Sequence, residues 1–337
     1  MNLPVTGQPL HTRSLTVVVT TDEGGLWRTH GNVIDIRKTG FAPMPTGIQP
    51  AGLIHSMSID LRVHPESLRI ESLETRQPRV AVEPSRHTNG DCCRDPASNL
   101  NALVGESLDS GFRKRLSLVF GGPRGCSHLL ALFSFMAAAV SRAAAFEKKR
   151  ASGREGDRPI GECLFQRSLS IDGMQNEHGD VELSAQIGDY HLGPEQTVGL
   201  PLERLDLEHD VRLYGRVGFT DQVLGEFRAA ERRRDHDSLA TAQWHERPEW
   251  GQSLVGTPLL SGFAGRVLDI CGPEPEQHLL TDALLQLAPG HYQVLAAFAD
   301  QWSIGAETPG GGEPSGAAGA MTANCYMWRP GGGLGPL

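Results

Sequence analysis

Asn101-Ala-Leu-Val-Gly-Glu-Ser-Leu-Asp-Ser-Gly-Phe-Arg-Lys-Arg115 lines up with Gln252-Ser-Leu-Val-Gly-Thr-Pro-Leu-Leu-Ser-Gly-Phe-Ala-Gly-Arg266, and the two share the skeleton L-V-G-x-x-L-x-S-G-F-x-x-R. Downstream, after a one-residue gap, Gly122-Pro123 meets Gly272-Pro273 and His128-Leu129-Leu130 meets His278-Leu279-Leu280. Upstream, Arg13-Ser14-Leu15-Thr16 matches Arg167-Ser168-Leu169-Ser170. Blocks that recur in one order predict a tandem duplication. The copies span residues 11–147 and 165–300, with a charged linker over 148–164 and a Gly/Pro-rich C-terminal segment over 301–337.

Within a copy, strands come first and helices second. Leu15–Thr20 and Trp27–Ile36 are β-rich runs separated by Asp22-Glu23-Gly24-Gly25, a turn whose glycines supply positive φ. Ile54–Val63 alternates, and Leu68–Leu73 can return beside it; Leu100–Phe120 and Leu129–Lys148 carry helical spacing. The second copy repeats the order through Val181–Ile187, Leu205–Val217, Leu254–Ile270 and His278–Leu287. The expected class is α+β: two modules, each a twisted antiparallel sheet followed by helices, facing each other across a pseudo-twofold axis with a cleft between them.

Composition narrows the function. Hydrophobic residues make up 39% of the 337 and charged residues 21%, enough for a packed core, and the formal net charge is −9. An acidic chain with scattered basic residues argues against a nucleic-acid partner. The apolar stretch from Leu129 to Phe146 is interrupted by Ser134, Ser141 and Arg142, which reads as a core helix and not a membrane span. Six irregularly spaced cysteines and no signal-like N-terminus give a cytoplasmic expectation. A Walker A loop, a dinucleotide fingerprint, a nucleophile elbow and H-E-x-x-H are all lacking.

The sharpest chemical feature is Gly121-Gly-Pro-Arg-Gly-Cys-Ser-His128, which runs into the helix starting near Leu129. Backbone N–H groups at a helix start favour an anion or a thiolate at Cys126. One reading of these residues is structural, a glycine-rich helix cap with a buried thiol and a hydrogen-bonded histidine; two functional uses also remain open. In one, His55, Cys93, Cys126 and His128 hold zinc or iron with an open position. In the other, His128, His55, Asp60 and Cys126 perform metal-free acid/base or thiolate catalysis. In the second copy His278 replaces His128, Glu276 replaces Cys126, Cys93 falls opposite Trp244-His245, and His55 falls near Glu203. The second site has then either lost its soft ligands or become a harder set of Glu203, His245, Glu276 and His278. Cys325 is a further candidate for the cleft, as a late strand or a buried thiol.

At Gly25-Leu26-Trp27, His55-Ser56-Met57, Cys93, Gly125-Cys126-Ser127-His128-Leu129 and Cys325 the chain resembles a bacterial family known as domain of unknown function 2889. The likeness covers the first copy well and the second poorly. It implies only a substrate class, compounds of aromatic catabolism. The expected function is a lyase-type enzyme acting on a small aromatic or hydrophobic metabolite at the module interface, as a monomer with pseudo-dimeric halves or a homodimer. Loss of formaldehyde from a hydroxymethyl group is one cleavage of this class. The competing reading is a non-catalytic ligand- or metal-binding protein, including an iron–sulfur scaffold.

Overall fold

A computed structural model of the chain describes residues 5–44, 47–151, 158–193, 204–271, 278–298 and 324–334. Among them are strands β1 (Gln8–Thr21), β2 (Trp27–Met44), β3 (Gly47–Val63), β4 (Ile70–Arg79), β5 (Cys163–Gln175), β6 (Val181–Leu192), β7 (Leu205–Val217), β8 (Leu224–Arg234) and β9 (His245–Glu246). They form one nine-stranded sheet in the order β4-β3-β2-β1-β5-β6-β7-β8-β9, with antiparallel neighbours throughout. The fold is mixed α/β with a large antiparallel sheet. In place of two sheets facing one another, β1 and β5 pair edge to edge with Leu15 opposite Leu169. Joining the edges satisfies two rows of backbone groups that separate sheets would have left exposed.

Strand alternation decides the buried face. Arg13, Leu15, Val17 and Val19 point to the core, as do Thr29, Val33, Asp35 and Arg37 on β2 and His55, Met57, Ile59 and Leu61 on β3. Residues of the other parity, such as Ser14 and Thr16, stay partly exposed. Helices cover the core face: α1 (Phe112–Phe120), α2 (Ser127–Ala151), α3 (Pro248–Leu254), α4 (Phe263–Cys271) and α5 (His278–Ala296). By length and composition α2 could cross a membrane, yet Leu129, Leu132, Phe133, Met136 and Val140 are fully buried within the core. Each such side chain contributes about 1.5–3 kcal/mol. Close approach of helix to sheet requires glycine at Gly31, where a Cβ would strike Met136, and at Gly173, where it would strike Val294.

The shared skeleton adopts one backbone in both places. Leu103 and Leu254 end a helical turn and are buried, and Gly105 (φ 92°) and Gly256 (φ 87°) break it. A short bridge follows to the strand edge, Arg69 to Ser107 in one case and Val223 to Pro258 in the other. Buried Phe112 and Phe263 then open α1 and α4. The continuous helices expected over Leu100–Phe120 and Leu254–Ile270 are interrupted at these glycines, because positive φ is incompatible with the α-helix. The expected loop over Pro309–Gly319 and most of the linker lie outside the described residues.

Candidate active site

An Arg–Asp–His row crosses β1, β2 and β3, where Arg13 pairs with Asp35 and Asp35 with His55. The same row recurs on β5, β6 and β7, where Arg167 pairs with Asp189 and Asp189 with His209. All six side chains lie on the core face. Strand pleating alone places them together, since residues opposite one another on neighbouring strands point the same way.

In the first row the fourth member is His128, delivered by the first turn of α2. Its Nε2 lies 3.4 Å from Asp35 Oδ2, and His55 Nδ1 lies 3.4 Å from the same oxygen. The two imidazole rings are 3.8 Å apart at their centroids. One donor atom from each of Asp35, His55 and His128 falls within 4.8 Å of the others, and all three residues are buried. His55 Nδ1 and His128 Nε2 have no hydrogen-bond partner among the described residues. Arg13 Nη1 stands 3.4 Å from both oxygens of the same carboxylate, and His11 Nε2 stands 3.7 Å from Oδ1.

Electrostatics fix the protonation states. Burial alone would raise the Asp35 pKa, but Arg13, His55 and His128 together hold the carboxyl well below its usual range, so it is ionised. Burial, reinforced by His55 and Arg13 against the opposing Asp35, holds His128 far below the ordinary imidazole value. Burial likewise brings His11 down to about 4. His11 and His128 are therefore neutral at pH 7, with lone pairs available.

Arg13, His55 and His128 line a half-open cavity of about 860 Å³ between the sheet, α2 and α5. The C-terminal segment also lines it, held where Tyr326 N donates to Gly125 O at 2.8 Å and Arg329 pairs with Asp91 at 2.9 Å. Apolar side chains dominate the lining, among them Ile54, Leu130, Phe135 and Leu285, and Arg13, Arg37 and Arg113 supply positive charge.

Of the residues singled out from sequence, His55 and His128 meet. Asp60 does not join them: it lies on the opposite face of β3, held by Arg28 at 3.3 Å and His30 at 3.1 Å, because an even-numbered position cannot share a face with His55. Asp35, on β2, stands beside both histidines instead. Cys126 and Cys93 both line the cavity but fall outside the donor group. Cys126 Sγ sits 3.8 Å from His128 Nδ1, the ring edge turned away from Asp35, and 4.0 Å from Met57 Sδ. Burial pushes the Cys126 thiol up to about 12 and Cys93 well above its usual value, so neither is a thiolate at pH 7. Cys325 lines the cavity from an irregular turn and not from a strand.

The harder set, the alternative reading for the second half, lies only partly within the described residues. His245 is exposed on β9, Glu203 and Glu276 lie outside the described residues, and His278 is the first residue of α5. The register makes His209, and not Glu203, the counterpart of His55. Here a guanidinium fills the space between aspartate and histidine: Arg142 Nε is 2.7 Å from Asp189 Oδ2, and its Nη2 is 2.8 Å from His209 Nδ1. Arg167 grips Asp189 with two hydrogen bonds, of 2.6 and 2.8 Å, and reaches Asp282 at 2.7 Å. This row is an ion-pair network in which each charge has an opposite partner.

Sequence reasoning missed Asp35, Arg13 and His11. The available signal was charge on the core-facing parity of an apolar strand, where an ionisable group costs several kcal/mol unless it is paired. No curated protein and no solved structure matches the chain. Residues 11–142, the stretch that supplies Arg13, Asp35, His55 and His128, match the model of a family described as protein of unknown function (DUF2889).

Proposed function

We propose that the chain is a lyase-type enzyme acting on a small aromatic or otherwise hydrophobic metabolite, and that Asp35, His55 and His128 hold a divalent first-row metal ion at the wall of its cavity. Two ligands bound about 2.1 Å from one ion at an angle near 105° lie about 3.3 Å apart. The observation that carries the reading is that both imidazole nitrogens stand 3.4 Å from one carboxylate oxygen, unpartnered and buried. A hydrogen bond would be shorter. Two histidines and one carboxylate leave coordination positions for substrate or water, a pattern suited to iron(II) or zinc. The second row supports it from within the chain, since a cation already sits between Asp189 and His209 there.

A bound ion would polarise a substrate oxygen and supply a hydroxide near neutral pH. In loss of formaldehyde from a hydroxymethyl group, a base at the cavity wall would take the hydroxyl proton, and the C–C bond would break as the O–H pair becomes the C=O of formaldehyde. The electron pair stays on the carbon skeleton, and a proton is returned to it. The matching rows and the matching Gly105 and Gly256 turns support two further readings: tandem copies over 11–147 and 165–300 related by a pseudo-twofold through Leu15 and Leu169, and a second copy that has become structural. The lack of basic clustering supports a small-molecule and not a nucleic-acid partner, and a cytoplasmic setting remains part of the proposal.

Cobalt(II) titration of the chelator-treated chain tests the reading. It should show one ion per chain with visible d–d absorption. Affinity should fall at least about tenfold in His55→Gln or His128→Gln, the usual cost of a lost ligand or its support, and should hold in Cys126→Ser. Binding lost equally in Cys126→Ser would move the ion to the thiol, and no binding by the folded native chain would end the metal reading. Turnover is assayed separately by mass spectrometry on a panel of hydroxymethyl-bearing aromatics. A chain that binds the ion but cleaves nothing across such a panel supports a binding protein instead.

A further inference from the structure

The two rows differ in one more partner. In the second, Arg167 is saturated: Nε and Nη2 hold Asp189, and Nη1 holds the carboxylate of Asp282, brought in by α5. In the first, Arg13 is as deeply buried, at 1% exposure, but touches Asp35 only through Nη1 at 3.4 Å. Its Nε and Nη2 have no partner among the described residues. Arg13 lines the cavity. Thus an aspartate carboxylate caps the arginine of the second row, whereas in the first the buried arginine has no such cap and sits at the wall of a cavity large enough for a multi-ring molecule.

Charge balance points the same way. Arg13, Arg37 and Arg113 line the cavity together with a single carboxylate, Asp282, which Arg167 already holds. Arg37 is itself held by Gln49, through Nη1 to the backbone carbonyl at 2.8 Å and Nη2 to Oε1 at 3.1 Å. A buried guanidinium with unpartnered N–H groups, as in Arg13, is costly, and an arginine fork matches a planar carboxylate better than it matches any neutral group.

We infer that the ligand of this cavity is an apolar, aromatic carboxylate, docked on Arg13 in the position that Asp282 takes on Arg167. The inference rests on the reading of the cavity as a substrate site and gives it a substrate class. It requires neither turnover nor a bound ion.

Isothermal titration of the full chain with biphenyl-4-carboxylate and with uncharged biphenyl-4-methanol, each with and without cobalt(II), tests it. The native chain should prefer the carboxylate by about tenfold to hundredfold in both metal states, the worth of a charge-assisted hydrogen-bonded pair. Arg13→Met should erase that preference while leaving the alcohol's affinity within about threefold, and Arg13→Lys should keep part of it. Because Arg13→Met leaves Asp35 unpaired, Asp35→Asn/Arg13→Met in the metal-free arm guards against misfolding, and it too should lack the preference. If the preference survives loss of Arg13, or is present only with cobalt, the ion and not Arg13 anchors the anion and the inference fails. Equal affinity for acid and alcohol in the native chain refutes it outright, whatever the metal titration shows.

Discussion

Replacing Arg167 with methionine probes the charge bookkeeping on which the contrast between the rows depends. The guanidinium is fully buried, and it neutralises Asp189 and Asp282, which are 1% and 5% exposed. An ion pair with charge centres roughly 4 Å apart is worth about 4 kcal/mol at an effective dielectric near 20, so about 8 kcal/mol of attraction disappears. Part returns, because the folded state no longer has to strip water from Arg167, a penalty of several kcal/mol. Asp189 also keeps Arg142 at 2.7 Å, and Asp282 keeps Arg113 at 3.6 Å. The net loss expected is about 3–5 kcal/mol, the usual cost of breaking a buried pair from one side. In urea unfolding followed by circular dichroism, with a slope of about 3 kcal/mol per molar, the midpoint should fall by about 1–1.7 M. Arg167→Met/Asp189→Asn/Asp282→Asn, which removes the stranded charges, should recover half of the loss or more. Arg13→Met, starting from a single 3.4 Å contact, should cost less than Arg167→Met. A loss below about 1 kcal/mol for Arg167→Met, or a triple variant less stable than the single one, would refute the view of the second row as a mutually neutralising network.

Arg142→Ala should leave the Asp189–His209 pair able to take a metal ion, raising cobalt stoichiometry from one toward two per chain; a folded variant that stays at one would undercut the equivalence of the rows. Gly125→Ala should destabilise by about 1–3 kcal/mol and weaken metal binding, because a Cβ there runs into the Phe120 carbonyl and ring and displaces the turn that delivers His128; unchanged melting and affinity would contradict it. Burial opposes charge on His191, but Asp206 and Glu147 outweigh it and raise its pKa. Its contribution is therefore full below the unfolded pKa near 6.5 and is lost as pH rises through the folded value. His191→Gln should cost more at pH 5.5 than at pH 9, while Glu147, held down to about 2, stays ionised at both; equal costs at the two pH values would argue against the assignment.

Strand order within each half, the Asp22–Gly25 turn and the core helix after Gly125 could all be read from periodicity and local chemistry, because each depends on neighbours close along the chain or on a fixed two-residue repeat. Asp35 illustrates what could not. Within Val33-Ile34-Asp35-Ile36 it reads as a polar interruption of an apolar strand, and only the registers that set it opposite Arg13 and His55 turn it into the centre of the site. The same parity rule would have removed Asp60, which is five residues from His55 in sequence but on the other face. Edge pairing of β1 with β5 was hidden for a different reason: backbone hydrogen bonds between distant strands leave almost no trace in side-chain pattern, whereas a cleft between two facing sheets and a single continuous sheet bury the same alternating residues.

The continuous sheet also explains how two similar halves can come to differ in chemistry without differing in fold. Arg13 and Arg167 are fixed by registers on either side of the Leu15–Leu169 pair, so neither row can move without breaking the ladder that joins the halves. What distinguishes the rows arrives instead from the helices. Helix α2 reaches across both, giving His128 to one from its first turn and Arg142 to the other about four turns later, and α5 gives Asp282 to the second row alone. A helix side chain can be exchanged at the cost of one packing site, whereas a strand register cannot shift by one residue without turning its whole buried set outward. Under the duplication reading, two helix-borne charges, Arg142 and Asp282, are enough to convert an open Arg–Asp–His row into a closed network, and the cavity survives over the row that received neither.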